Sequence, residues 1–297
     1  MKLKKLLLVK DKSGSSVSAS PAPSPTEAPV SFPPCSEACV LPKWTVGFAQ
    51  SVGRRREHNE DALFLTSSDL SQDQTSLHFG LYIVADGMGG HQYGEIASGI
   101  AVRCVANHVQ GELLLKWQEA GGLPDASELE EIMSEGIQKA NQAIKTEVEG
   151  GGTTITSVLL IGEQMHIAQI GDSRAYAVAI DGTLKALTHD HSFVQQLLDG
   201  GAITREEAAI HPQKNVLTSA LGQLEPLEPQ ISTHPLPNQG HLLLCSDGLW
   251  GVVAEEQIGQ IILAALNPQH ACQELIEAAN RAGGPDNITA ILVRFLG

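Results

Sequence analysis

The chain has 297 residues, 42% hydrophobic and 18% charged, with 19 basic against 34 acidic side chains for a formal net charge of −15. Such a chain is long enough for one large domain or two small ones, and none of its apolar runs approaches the ~20 residues of a membrane-spanning helix. The acidic surplus excludes a protein that works by neutralising the phosphates of DNA or RNA.

Residues 1–43 stand apart. They carry six lysines against three acids, and seven of the 15 prolines fall between Pro21 and Pro42. Proline interleaved with Ser, Ala and Glu in this way cannot bury enough apolar surface to offset its ordering entropy, and the segment is expected to be a disordered tail. Its Lys-rich start, with Leu6 to Val9, is too short for the apolar region of a secretory signal. Residues 44–297 keep 13 bases against 31 acids, or −18. The five cysteines, at 35, 39, 104, 245 and 272, form no dense framework, which points to a reducing cytoplasm rather than secretion. Cys35 and Cys39 lack the further ligands that a zinc site needs.

From Trp44 onward, β-rich runs bounded by Gly, Asp or Pro predict strands over 44–50, 62–65, 77–85, 153–161, 165–170, 175–180, 183–187, 241–245 and 287–295. Asp181-Gly182 is a two-residue hairpin signal. Helical periodicity predicts helices over 94–117, 127–148, 255–266 and 269–282. On the first, Ile96, Ile100, Cys104, Val105, Val109 and Leu113 share a face. Helices come in pairs between groups of strands, and hairpins outnumber crossovers, so a mixed, mostly antiparallel α+β fold is expected.

The chemistry is carried by acids at strand ends. Leu81 to Ala85 runs into Asp86-Gly87, His166 to Ile170 into Gly171-Asp172, and His241 to Cys245 into Ser246-Asp247-Gly248; Asp61 and Asp286 each precede an apolar run. One Asp-Gly alone reads as an ordinary turn. Five together place ionised carboxylates on rigid elements, and an oxygen-only ligand set selects Mg2+ or Mn2+. Two such ions can acidify a shared water for attack on phosphorus. Arg54-Arg55-Arg56 is the densest basic cluster of the acidic domain, and arginine grips phosphate oxygens in a fork.

Arg56-x-x-Asn59-Glu60-Asp61, Ala85-Asp86-Gly87-Met88-Gly89-Gly90-His91, Gly152-Thr153-Thr154, Gly171-Asp172-Ser173-Arg174, Ser246-Asp247-Gly248 and Asp286-Asn287, in that order, resemble the metal-dependent serine/threonine protein phosphatases of the PP2C (PPM) type. The Asp-Gly-Met-Gly-Gly-His form is similar to the bacterial branch.

The resemblance implies a four-layer α-β-β-α sandwich, with two mostly antiparallel sheets flanked by helices. It implies a two-metal Mn2+ or Mg2+ centre held by Asp86, the Gly87 carbonyl, Asp247 and Asp286, with Glu60 and Asp61 reaching it directly or through water. Asp172 would serve a third, weaker ion, and Arg56 would bind the phosphate. The implied reaction is hydrolysis of phosphoserine and phosphothreonine in phosphorylated proteins, by direct attack of a metal-bridging water or hydroxide. Residues 188–222 correspond to the family's flap, and such domains commonly work as monomers. Gly152-Thr153-Thr154 is assigned no chemistry, and the two histidines of Thr188-His189-Asp190-His191-Ser192 read as polar flap residues.

Animal relatives place a histidine directly after the first Asp-Gly; here that position is Met88, and a thioether donates no proton. His91 and a metal-bound water stay open as the general acid. Two rivals remain: an inactive metal-binding module that recognises phosphoproteins, and a phosphatase of a partner-switching regulator. No cysteine is followed by arginine at the sixth position, which rules out a cysteine-nucleophile phosphatase loop.

Overall fold

A computed structural model describes residues 43–72, 75–89, 92–120, 123–223 and 227–297; the expected tail, with Cys35 and Cys39, and His91 lie outside them. Eleven strands and seven helices follow one another among the described residues. Strands β1 (Trp44–Ser51), β11 (Ile288–Leu296), β10 (Gln239–Cys245), β7 (Arg174–Val178) and β8 (Leu184–Ala186) lie in that order in one sheet. The other sheet orders β2 (Asp61–Gln72), β3 (Thr75–Met88), β5 (Ile155–Ile161), β6 (Gln164–Ile170) and β9 (Gln230–Pro235), with the short β4 (Gly152–Thr153) on the end of β3. Every pairing is antiparallel.

Alternation along the strands builds the layers. In β3, Tyr82 and Val84 face the other sheet, where they meet Leu242, Leu244, Ile291 and Val293. Leu81, Ile83 and Ala85 face the opposite way, onto helices α1 (Gln92–Ala120) and α2 (Ala126–Glu147). The outer face of the first sheet is covered by α6 (Glu255–Ala264) and α7 (Pro268–Arg281) through Ile258, Ile262, Cys272 and Leu275. Both faces of each central strand are buried, which is why these strands read as continuous apolar runs. The result is the expected helix-sheet-sheet-helix sandwich.

Local signals set the helix ends. Asp125 caps α2 in a reciprocal box with Glu128, and Asn267 caps α7, which has Pro268 in its first turn. The free edge of β1 is closed by Gln269 of α7, whose amide accepts from Phe48 N–H and donates to Phe48 C=O; this leaves that stretch of edge without open main-chain groups.

Three expectations need correction. The strand predicted over 153–161 breaks at Thr154: Gly152 and Thr153 stand opposite Met88 and Gly87 in the same register on β3 that pairs Thr156 with Val84, but only Ile155 onward also pairs with β6. Ile96, assigned to the buried face of α1, is 46% exposed, and Cys104 is only partly buried. Strand β9, whose sequence Gln230–Pro235 contains a single large aliphatic residue, carries no alternating pattern and was not anticipated. Among the described residues no helix is long and apolar enough to cross a membrane.

Candidate active site

The antiparallel registers bring the acidic strand ends to one end of the sandwich. Asp61 opens β2 directly opposite Asp86 near the end of β3. Asp247 follows β10 at the start of a single helical turn, α5 (Asp247–Trp250), and Asp286 precedes β11. Asp172 sits in the turn between β6 and β7. A cleft of about 400 Å3 lies among them, with Arg56, Glu60, Asp86, Gly87, Asp172, Asp247 and Asp286 in its walls. Of the residues expected at the site, only Asp61 stands behind the wall, 7% exposed.

A polar frame holds each acid. Asp61 Oδ2 accepts from Thr289 Oγ1 at 2.6 Å and Ser246 Oγ at 2.8 Å, tying β2 to the ends of β10 and β11. Asn287 acts as a staple: its Oδ1 accepts from Glu60 N–H at 2.8 Å, and its Nδ2 donates to the carbonyls of Val52 at 2.9 Å and His58 at 2.8 Å. Its own N–H donates to Asp286 Oδ1 at 2.8 Å. The main chain of Asp86 is clasped by Thr154, whose Oγ1 accepts its N–H at 3.0 Å, and by Thr153, whose Oγ1 donates to its carbonyl at 2.9 Å. Gly87 admits no side chain, because a Cβ would strike the carbonyls of Gly94 and Glu60. The Glu60 carboxylate lies against Gly94 in the first turn of α1, where the helix dipole favours negative charge.

Arg56 reaches in from the loop after β1, and its Nη2 meets Asp286 Oδ2 at 2.7 Å. Arg54 and Arg55 are exposed and stand outside the cleft lining; the main-chain N–H of Arg54 bonds Gly284 O at 2.7 Å and fixes the loop.

Crowded, buried carboxylates hold protons tightly. Burial first, and then repulsion from Asp247 and Asp286, pushes Asp61 up to about 7 against the favourable bonds from Thr289 and Ser246. Burial and then Asp286 push Asp247 up to about 6. Asp86 and Asp172 are driven well above the usual carboxylate range, again by burial first and by neighbouring acids next. One oxygen each of Asp61 and Asp247 is buried with no hydrogen-bond partner. Unpartnered carboxylate oxygens amid like charges are the donor set of a hard divalent cation, so these residues fit Mn2+ or Mg2+. Among the described residues no three His, Cys, Asp or Glu side chains close on a single point. The acids ring the cleft instead, an arrangement suited to ions that keep several waters.

The segment 188–223 forms the remaining wall. It contains α3 (Phe193–Asp199) and α4 (Arg205–Ala209), and returns through main-chain bridges Ser192 to Leu217 and Thr153 to Leu221. Asn215, Leu217, Ala220 and Gln223 line the cleft. Its base is locked by Arg174, which makes a two-pronged bond to Asp190 at 2.9 and 2.7 Å, donates to Tyr176 OH at 2.7 Å, and stacks 3.5 Å over the Trp250 ring. Trp250 in turn donates to the Asp172 carbonyl at 3.1 Å. His189 pairs with Asp199 at 2.8 Å, and His191 accepts from Gly171 N–H at 3.3 Å, so both histidines are held by local contacts of this segment and its base.

Sequence reasoning missed Thr153, Thr154, Asn287 and Arg174 as parts of this frame. Each lies inside a quoted motif, but only the fold reveals that their partners are 16 to 235 residues away in the chain.

The protein phosphatase 2C family matches residues 50–296. The serine/threonine phosphatase stp of Listeria welshimeri is 36% identical over 252 residues, covering 83% of this chain and 94% of that protein. The crystal structure of the Mycobacterium tuberculosis serine/threonine phosphatase PstP/Ppp superposes with a TM-score of 0.71 at 32% identity, over 86% of this chain and 99% of that one. A structure of the PstP catalytic domain in complex with two manganese ions superposes with a TM-score of 0.68 at 30% identity, over 86% of this chain and 99% of that one.

Proposed function

The chain belongs to the protein phosphatase 2C family, and from that membership we propose that it is a metal-dependent phosphoprotein phosphatase that hydrolyses phosphoserine and phosphothreonine. The observation that carries this reading is the convergence of Asp86, Asp172, Asp247 and Asp286 with Arg56 on one open cleft. Four acids and one arginine repel a phosphate monoester unless cations intervene.

Asp86, the Gly87 carbonyl, Asp247 and Asp286 are our assignment for two core Mn2+ or Mg2+ ions, with Glu60 beside them and Asp61 behind; Asp172 is the assignment for a third, weaker ion. Bound there, the ions would supply positive charge for the phosphoryl oxygens and lower the pKa of an attacking water. Arg56 turns its fork from Asp286 to two phosphoryl oxygens and orients the phosphorus. Thr153, Thr154, Ser246, Thr289 and Asn287 keep the acids from relaxing apart, and the flap wall of Asn215, Leu217 and Gln223 excludes bulk water and meets the peptide flanking the phosphoresidue. Residues 44–297 act as the catalytic domain, 188–222 as its flap, and the protein works as a cytoplasmic monomer.

Acid quenching during turnover of a radiolabelled phosphothreonine peptide tests direct attack. All label is expected as free peptide or inorganic phosphate; label retained covalently on the protein contradicts it.

A further inference from the structure

The outer face of the β1-β11-β10-β7-β8 sheet is not covered along its whole length. Leu243, Cys245 and Leu292 lie beneath α6 and α7, but at the end of α6 this cover gives way to a second cleft of about 360 Å3. Its floor carries Arg294 and His241, cross-strand partners on β11 and β10. Its rim is aliphatic: Ile180 is 70% exposed, Leu263 45% and Leu296 44%. Three of the twelve large apolar side chains exposed among the described residues thus gather at one spot, and a concentration of that kind marks a binding surface.

Arg294 shows what chemistry the spot lacks. Arg294 is exposed and has no ion-pair partner among the described residues, although residues 44–297 hold 31 acids against 13 bases. β10 and β11 both run from this cleft to the acids of the catalytic one. At ~3.3 Å per residue, the seven residues of β10 keep the two apart, so an occupant here leaves the catalytic cleft open.

We propose that this cleft docks an acidic, aliphatic segment of a partner protein: a leucine-type side chain enters between Leu263 and Leu296, and a carboxylate pairs with Arg294. The assignment goes beyond the phosphatase reading and does not depend on it.

The test uses the isotope-labelled full-length chain and two end-blocked peptides, acetyl-Glu-Leu-Leu-Asp-Leu-amide and its counterpart with lysine at both acidic positions. The acidic peptide is expected to shift the amide signals of residues 239–241 and 294–296, and the lysine peptide to leave them in place. Arg294→Glu should weaken the acidic peptide by about tenfold, the cost of one charge-assisted contact, and admit the lysine peptide, while turnover of a small phosphoester stays unchanged. Shifts absent at saturating peptide, shifts confined to the catalytic cleft, or equal affinity of both peptides for the unmodified protein would each overturn the proposal.

Discussion

Replacing Asp61 by Asn removes a charge from the most constrained position of the frame, and its effect on stability depends on pH in a way the structure dictates. In the metal-free protein, burial lifts Asp61 from the ordinary 3.8 to about 7. Between those values the folded chain keeps a proton that the unfolded chain has released, so the contribution of Asp61 to stability is greatest below pH 3.8 and falls as pH rises through 7. Relative to acid pH, stability loses about 2 kcal/mol by pH 5, where the folded carboxyl holds a proton the unfolded one has released, and about 4 kcal/mol by pH 7.5. Asparagine carries no such penalty at either pH.

Absolute melting profiles would obscure this, because buried His166 and half-buried His191 and His241 are pushed below their usual range by burial and make stability rise with pH below 6.5. The difference between wild type and Asp61→Asn cancels them. Urea unfolding of the EDTA-treated proteins should show the variant gaining on wild type by about 2 to 3 kcal/mol between pH 5 and 7.5. Parallel pH profiles for the two would refute the reasoning.

Arg56→Ala should chiefly raise KM for a phosphopeptide, because the lost contact grips the phosphate in the ground state; a fall in kcat alone contradicts that role. Asn287→Ala strands Glu60 N–H and the carbonyls of Val52 and His58, at a cost of about 2 to 4 kcal/mol in urea unfolding with a loss of turnover as the 52–60 segment loosens; Asn287→Asp should recover only the bond from Glu60. Arg174→Met leaves Asp190, 8% exposed, as an unpaired buried charge and should destabilise the protein by about 3 to 5 kcal/mol, while Arg174→Lys restores the charge but not the two-pronged bond; equal unfolding midpoints for the two would show that geometry does not matter.

The acids at the cleft were legible because each follows or precedes a core strand, and an antiparallel sandwich must bring such ends together. Asp86, Asp172, Asp247 and Asp286 line the cleft where strand-end reasoning put them. The frame was not legible: Thr154, Asn287 and Thr289 are small polar residues whose role is set by what the fold places opposite them, and Thr154 looked like part of an uninterrupted strand. Ile96 was misplaced because helical spacing finds a stripe but not its limits; at the start of α1 the buried face runs through Gly94, Ala97, Ser98 and Ala101, leaving Tyr93 and Ile96 in solvent. Short helices such as α3 to α5 hold too few residues for a 3.6-residue period to emerge. Asp61 shows the same limit: its sequence context matches its neighbours, yet the bonds from Ser246 and Thr289 draw it behind the wall.

The central claim, a metal-dependent phosphatase whose acids hold the ions, is tested most directly by phosphate release from a phosphothreonine peptide, measured on the full-length protein with Mn2+, with EDTA, and in the Asp247→Ala variant. The account predicts release only from the unaltered protein in the presence of the metal. Release undiminished by EDTA or by the loss of Asp247, or none at all from folded, Mn2+-supplied protein, would contradict it.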